Sequence, residues 1–201
     1  MDYLVYDIEI KNAVPLETEE RIEGIAYCEG WKDFQGMGLA CVCAFDSRLQ
    51  RERVFMGDNL IIFQSLAEHC NMLLVGFSNS LFDDHVLAAS GITIPAHRRY
   101  DLQCLIWEAT GVNLSLCSEA DFHKLHQLYG LSAMAQYNFG VKKSGKGVMA
   151  PLLYQRGHYG SLLDYCLHDV LMTRRLFEKV LRGEPLENPV DRDKPLHLPL
   201  P

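Results

Sequence analysis

The sequence lacks the long apolar runs that mark membrane-spanning and exported proteins. No run in the 201 residues reaches the ~18 to 20 apolar residues that cross a bilayer. The start, MDYLVYDIEI, has no basic stretch followed by an apolar segment, so no signal peptide is predicted. We therefore expect a soluble, intracellular protein with no membrane partner, and a single globular domain with a continuous core.

Paired cysteines and an excess of basic residues are also missing. The seven cysteines include no C-x-x-C pair and mostly lie in apolar stretches, whereas zinc sites and disulfide frameworks use closer, more regular spacing. We interpret them as reduced core residues. The net charge of −7 argues against a protein that coats nucleic acid along a basic face. It is compatible with a nuclease, because a carboxylate site is acidic until its metal ions bind.

What is present is a regular alternation of apolar strands and helices. The predicted strands span residues 3–10, 38–45, 51–56, 72–77 and 99–102, and the predicted helices span 59–70, 81–90, 121–129 and 162–182. This order indicates an α/β chain with a mixed sheet that is covered by helices on both faces.

Three stretches fall outside this pattern. Residues 11–37 read as a long polar excursion that overhangs the first strand, and residues 130–160 as a long connection. Ser161 and Asp164 form a capping pattern for the last helix, and Gly183 supplies its stop. The chain then divides into a domain over 1–182 and a proline-rich tail over 183–201 without a core of its own.

Acidic residues recur at the ends and faces of the predicted elements. Asp7 and Glu9 alternate on the first strand, so both carboxylates point to the same side, although an exposed strand would show the same pattern. Asp83 follows the strand at 72–77, where it could also act as a helix cap with Ser80. Its neighbour Asp84 points about 100° away on the helix and is the rival for the same role.

The last helix carries a further acid. Tyr165 and Asp169 are four residues apart and share one face of a heavily apolar helix, so Asp169 is expected to be buried. A buried aspartate needs a partner, and a salt bridge to Arg174 or Arg175 is the alternative to a metal. His168 adjoins Asp169 but faces away from it on the helix, and is interpreted as a surface residue or as a residue that lies behind the ligands.

Together these motifs resemble the DEDD superfamily of 3′–5′ exonucleases, which are DnaQ-like enzymes with an RNase H-like fold. The resemblance rests on D-x-E at Asp7 and Glu9, N-x-x-F-D ending at Asp83, and Y-x-x-x-D at Tyr165 and Asp169. It covers residues 1 to about 182. Because the position five before the last acid is aspartate instead of histidine, the chain is similar to the tyrosine (DEDDy) branch.

This resemblance implies a hydrolase with two bound Mg²⁺ or Mn²⁺ ions. The metal ligands would be Asp7, Glu9, Asp83 and Asp169, of which Asp7 would bridge both ions. Carboxylates without clustered histidine or cysteine suit these hard cations. The Tyr165 hydroxyl would orient the attacking water, since a phenol with a pKa near ~10 is a poor base unaided.

The implied partner is single-stranded nucleic acid, DNA or RNA, with a free 3′ end. The predicted contacts are Asn79 and Phe82 of the second motif and the basic Lys142, Lys143 and Lys146. Trp31, Phe34 and Tyr137 are candidates for stacking on bases, or simply pack. Two alternatives stay open: a catalytically silent RNase H-like module that binds nucleic acid or protein, and a proofreading or processing subunit of a larger assembly.

Overall fold

A computed structural model describes residues 1–16, 20–112, 116–143, 145 and 147–201. The strands are β1 (Tyr3–Ile10), β2 (Leu39–Asp46), β3 (Arg51–Phe55), β4 (Leu73–Gly76) and β5 (Arg99–Asp101). The helices are α1 (Phe34–Met37), α2 (Leu60–His69), α3 (Asp83–Ala89), α4 (Leu102–Ala109), α5 (Glu119–Tyr129), α6 (Leu131–Phe139), α7 (Ala150–Gln155) and α8 (Tyr159–Leu181). None of these helices combines the length and the apolar character that crossing a bilayer requires.

The strands form one mixed sheet in the order β3-β2-β1-β4-β5. β1 pairs antiparallel with β2, and β2 with β3, whereas β4 runs parallel to both β1 and β5. Helices cover both faces, as predicted. The chain is thus α/β with a mixed five-stranded sheet flanked by helices, consistent with an RNase H-like fold.

Two apolar cores lie on opposite faces of the sheet. Alternate residues of β1 divide between them: Tyr3 and Val5 pack beneath α8, and Leu4 and Tyr6 pack against α2 and α3. This alternation follows from the two-residue period of a strand. Because Asp7 and Glu9 continue the series of Tyr3 and Val5, their side chains point to the face that α8 covers.

The long helix α8 differs from the prediction at its start. It begins at Tyr159, so Ser161 and Asp164 lie inside its first turns, and its N-cap His158 makes no side-chain capping bond. The predicted capping role of Ser161 and Asp164 was therefore wrong. The predicted stop is confirmed, because Gly183 adopts a φ of 71° and its N–H donates to the Val180 carbonyl at 2.8 Å.

The region predicted as a connection and the C-terminal tail are both more ordered than expected. Residues 130–160 include α6 and α7, which pack against α8. In the tail, Leu186 and Leu196 are buried in the core beneath α8 and exchange backbone hydrogen bonds of 2.9 and 2.8 Å. The Tyr100 hydroxyl donates to the Pro199 carbonyl at 2.6 Å. The tail thus completes the core of the domain.

Candidate metal centre

Strand β1 carries Asp7 and Glu9 into a cleft. β4 pairs only with residues 3–5 of β1, so the following part of β1 lies beyond the carboxyl end of β4 and is open on that side. Glu9 is 7% exposed, and its carboxylate, that of Asp7 and the Cys166 sulfur all lie within 4.8 Å of one another. The exposed strand that offered the alternative explanation for D-x-E is therefore not what the fold contains.

Helix α8 brings Asp169 to the same cleft. Asp169 is 3% exposed, and its Oδ2 forms an ion pair with Lys143 Nζ, whereas its Oδ1 has no hydrogen-bond partner among the described residues. The alternative salt bridges to arginine were wrong: Arg174 Nε binds Glu178 at 2.6 Å, and Arg175 lies over the Phe139 ring. Asp169 is thus buried with one oxygen unsatisfied.

Asp83 and Asp84 are adjacent but have different surroundings. Asp84 accepts a 2.5 Å hydrogen bond from the Tyr6 hydroxyl, and its Oδ2 lies 2.6 Å from Arg99 Nε, a charge contact without hydrogen-bond alignment. Asp83 is 7% exposed and has no hydrogen bond or ion pair within the described part of the chain. It is the first residue of α3, and the predicted cap with Ser80 is absent. Asp83, not Asp84, is therefore the acid left without a partner.

Two side chains hold the loop before Asp83 in place: Asn79, which belongs to the loop, and Asp101, the last residue of β5. The Asn79 side chain is 1% exposed and donates to the Tyr6 carbonyl at 3.3 Å. It crosses Gly76 so closely that a Cβ there would lie within about 2 Å of the amide, so only glycine fits. The Asn79 side chain thus contacts the protein interior. It lines neither of two cavities that lie next to the acids.

Asp101 is a second anchor of this loop. Its carboxylate accepts from the backbone N–H groups of Ser78 and Ser80 at 3.0 and 2.9 Å and from the Ser80 hydroxyl at 2.6 Å. It also caps α4 through the N–H groups of Gln103 and Cys104. Asp101 therefore holds the loop that presents Asp83, and its own charge is fully satisfied.

Burial disfavours the ionised forms of the acids in the cleft and raises their pKa values. Enclosure by protein, followed by the charge of Asp169, raises the pKa of Asp7 to about 8, although Asp7 is partly exposed to the cavity. Burial and then the charge of Asp7 raise the pKa of Glu9 and of Asp83 well above their usual range. Burial also raises the pKa of Asp169. All four acids would ionise more readily if a cation were added to the cleft.

The cation that the fold itself supplies to this cleft is Lys143. Burial lowers the pKa of Lys143, but Asp169, Tyr165 and Asp7 together raise it above its usual value. One ammonium faces four carboxylates, so much of their charge is unbalanced within the described residues. Carboxylate oxygens are hard donors of the kind that divalent cations prefer, and in this cleft they have few partners of their own.

Tyr165 lies beside the acids, one helical turn before Asp169. Its ring is 5.6 Å from Lys143 Nζ, and burial raises the pKa of its hydroxyl to about 12, although the charge of Lys143 acts to lower it. The phenol thus remains protonated at neutral pH and is available as a hydrogen-bond donor. A side chain at Gly147 would approach its oxygen to 3.7 Å, so the glycine keeps the approach to Tyr165 open.

Two cavities meet at Asp7 and Lys143. The first has a volume of about 330 Å³ and is bounded by Glu9, Tyr165 and Asp169 on one side and by Trp31 and Phe82 on the other. The second, of about 500 Å³, extends past Lys142 towards the start of α6. Asp7 therefore lies at the junction of a partly apolar pocket and a more polar groove, Glu9 and Asp169 line the pocket, and Asp83 lines neither cavity.

The other predicted contact residues have separate positions. Trp31 is 55% exposed and meets Phe82 edge to face at 6.1 Å, whereas Phe34 stacks on His85. Tyr137 lies apart from the cleft, near Arg192.

The three lysines also differ in position. Lys142 is exposed and lines the second cavity, and its carbonyl lies 3.1 Å from His168 Nε2. His168 is half-buried, and its charge acts to lower the pKa of the neighbouring Asp169, which burial raises. Lys143 enters the centre, and Lys146 lies outside the described residues.

The cysteine pattern gave no hint of the cluster that forms next to these acids. Cys41 and Cys43 of β2 and Cys166 of α8 bring their sulfur atoms within 4.8 Å of one another. None of the seven cysteines forms a disulfide, as predicted, and four of them, including these three, are buried. A C-x-C pair on one face of a strand was the available signal, but the third cysteine is more than a hundred residues away and only the fold unites them.

Comparison with known proteins adds no assignment: no protein-family model matches the chain, and no curated protein is similar to it in sequence. The function of this centre is therefore argued from its residues.

Proposed function

We propose that this protein is a metal-dependent 3′–5′ exonuclease that hydrolyses phosphodiester bonds at the 3′ end of single-stranded nucleic acid. The observation that carries the proposal is a set of four carboxylates, of which Glu9, Asp83 and Asp169 are buried and Asp7 is partly exposed. Within the described residues one ammonium, that of Lys143, lies among them. Buried carboxylates without partners destabilise a fold unless a cation is bound. Their order along the chain is also the order of the DEDD motifs.

These four acids would hold Mg²⁺ or Mn²⁺. The donors are all carboxylate oxygens, which both ions prefer. Two such ions supply an activated water and neutralise the charge that develops on the phosphate and on the departing oxygen. Asp84 and Asp101 are left out of this set because Asp84 has a tyrosine hydroxyl and an arginine as partners and the Asp101 carboxylate is hydrogen-bonded.

The chain's own groups orient the substrate around the acids. The protonated Tyr165 hydroxyl donates a hydrogen bond that positions the attacking water, since its raised pKa makes it a poor base. Lys143 faces both cavities, so its ammonium is placed to contact a phosphate group. Trp31 and Phe82 give the first cavity an aromatic wall on which a terminal base stacks.

The size of the first cavity favours action at a chain end. Its volume of about 330 Å³ suits a single nucleotide and is too small for a duplex. An exposed 3′ end that has frayed from its partner strand would meet this limit, whereas an internal bond of a duplex would not. The 2′ position of the sugar distinguishes RNA from DNA, so both are included as substrates in the test.

The proposal is tested with matched DNA and RNA oligonucleotides that carry a label at either end. With Mg²⁺ or Mn²⁺, the wild-type protein should shorten the strand from its 3′ end and release mononucleotides. Asp7→Ala should release none, and chelation should stop the wild-type protein. Products that shorten from the 5′ end would contradict the proposed polarity, and strand binding without release would indicate the silent module instead.

A further inference from the structure

A group of soft ligands lies directly beside the hard carboxylates. In the β1–β2 ladder Cys43 is paired with Asp7 and Cys41 with Glu9, so all four side chains project from the same face of the sheet. Cys166 reaches them from α8, which covers that face. All three cysteines are fully buried and free. Their sulfur atoms thus form a triangle that is buried next to Asp7 and Glu9.

The dimensions of this triangle suit a thiophilic cation. A zinc–sulfur bond of about 2.3 Å in a tetrahedral site separates the sulfurs by about 3.8 Å. The three sulfurs lie within 4.8 Å of one another, so small side-chain movements would bring them to that spacing. Thiolates select Zn²⁺ and similar soft ions and are poor ligands for Mg²⁺.

Asp7 connects this triangle to the carboxylates. Its Oδ2 lies 3.5 Å from Cys166 Sγ, and its carboxylate borders both cavities. Through its contact with Cys166 it is the candidate for a fourth ligand, and it marks the route by which an ion from solvent meets the buried sulfurs. An ion held by Asp7 and the sulfurs would withdraw Asp7 from the set that it forms with Glu9, Asp83 and Asp169.

We propose that Cys41, Cys43 and Cys166 bind a thiophilic divalent cation, Zn²⁺ or Cd²⁺, with Asp7 as the fourth ligand, and that this binding inhibits the protein. Each thiol releases its proton to solvent as its sulfur coordinates the ion. The binding itself is independent of the nuclease assignment. The inhibition rests on the proposed function, because it acts through Asp7.

Binding is measured by titrating reduced, metal-free protein with Cd²⁺ and following the ultraviolet cadmium–thiolate absorption. For the wild-type protein, this absorption should stop increasing when one Cd²⁺ ion per chain has bound. Loss of a partner outside the ligand shell already costs about 10- to 100-fold in metal affinity, so Cys43→Ala and Cys166→Ala should each weaken binding at least about 100-fold. Cys70→Ala, which changes a cysteine outside the triangle, should bind as the wild-type protein does.

These variants come from different elements, β2 and α8, and thermal unfolding identifies any that fails to fold. Absence of the band in the wild-type protein, or an unchanged affinity in a folded Cys43→Ala or Cys166→Ala variant, would overturn the proposed site.

The inhibition is measured as strand shortening at fixed Mg²⁺ with increasing Cd²⁺, relative to each variant's own rate without Cd²⁺. The wild-type and Cys70→Ala proteins should lose activity over the range in which the absorption band forms, and Cys43→Ala should resist. Equal inhibition of all three would place the ion on the carboxylates alone and contradict the proposal. If no protein shortens the strand, the nuclease assignment fails, and the absorption titration still decides the cysteine site.

Discussion

Two groups of buried acids lie side by side in this protein and differ in how their charge is met. Asp84 is bound by a tyrosine hydroxyl and an arginine. Asp101 accepts hydrogen bonds from backbone N–H groups of two segments and from a serine hydroxyl. The group formed by Asp7, Glu9, Asp83 and Asp169 has one lysine and one weak thiol contact among the described residues. Glu9, Asp83 and Asp169 are as buried as Asp84 and Asp101, and Asp7 is partly exposed, so burial alone does not separate the two groups.

The difference separates acids that build the fold from acids that await a ligand. An acid such as Asp101 stabilises its surroundings because its bonds offset the free energy of removing charge from water. An acid such as Asp83 has no such compensation and destabilises the metal-free protein. Substitutions in the two groups should therefore have opposite effects on stability and on activity.

The comparison is tested most sharply by the same substitution at two adjacent acids, one from each group. Asp83→Asn should lower strand shortening by about 1,000-fold or more, because it removes a charge that the metal ions need, and should leave the free energy of unfolding unchanged or higher. Asp84→Asn should retain most activity but lose about 2 kcal/mol of unfolding free energy, because Arg99 loses its charged partner. Activity assays and denaturant unfolding of both variants give the answer, and a more damaging effect of Asp84→Asn on activity would reverse our assignment.

Tyr165→Phe removes the hydroxyl that faces the acids and keeps the packing of α8. We expect turnover to fall by about 100-fold, the lower range for a group that assists proton movement, with metal affinity unchanged. Steady-state kinetics during a Mn²⁺ titration separate the two quantities. Unchanged turnover would remove Tyr165 from the mechanism.

The pH dependence of stability tests the free-energy cost of charge at Asp7. The folded, metal-free protein retains a proton on Asp7 up to a pKa of about 8, whereas the unfolded chain releases it near about 4. The folded state binds more protons in this interval, so the free energy of unfolding should fall as pH rises from about 4 to about 8.

Asp7→Asn should make this fall shallower and raise the unfolding free energy at pH 8 by on the order of 2 kcal/mol. Denaturant unfolding of the chelated protein across this pH range measures the effect. An identical pH profile for the wild type and Asp7→Asn would show that the pKa of Asp7 is not raised in the folded protein.

Lys143 is the cation that a bound metal ion must displace from Asp169. Lys143→Met should therefore bind Mn²⁺ about 10-fold more tightly, because no ammonium competes for the carboxylate. The exposed neighbour Lys142→Met is the matched control and should change the affinity little. Calorimetry on both variants measures the effect, and weaker binding in Lys143→Met would show that the lysine supports the metal ions instead of competing with them.

Trp31→Ala gives the smallest expected effect. Loss of one stacking surface costs roughly 1 to 3 kcal/mol of single-strand binding, and the exposed position of Trp31 favours the lower end of that range. Fluorescence anisotropy with a short labelled strand in Ca²⁺ reports binding without turnover. Equal affinity in Tyr137→Ala, which changes an aromatic residue away from the cleft, is the control.

Local patterns predicted much of this molecule. The alternation in β1, the hairpin of β2 and β3 and the apolar face of α8 each follow from side-chain periodicity, and together they place Asp7, Glu9 and Asp169 correctly. The start of α8 was missed because Ser161 and Asp164 form a capping pattern that the preceding turn overrides. Propensity is a weak guide where tertiary packing extends a helix.

The contacts that decide function are non-local and were not predicted. Nothing in the sequence joins Lys143 to Asp169, or Cys166 to Cys41 and Cys43, because these pairs form only when α8 packs across β1 and β2. The partners of Asp84 and Asp101 are likewise set by the fold. The sequence motif therefore identified the acids, and the fold identified which of them lack compensation.

Calorimetric titration of the chelated protein with Mn²⁺ tests the central claim most directly, because it measures cation binding by the unsatisfied acids without requiring a substrate. We predict two ions for the wild-type protein and for Asp84→Asn, and strongly reduced binding for Asp7→Ala. Wild-type protein that binds no Mn²⁺, or Asp7→Ala that binds as the wild type does, would contradict the account.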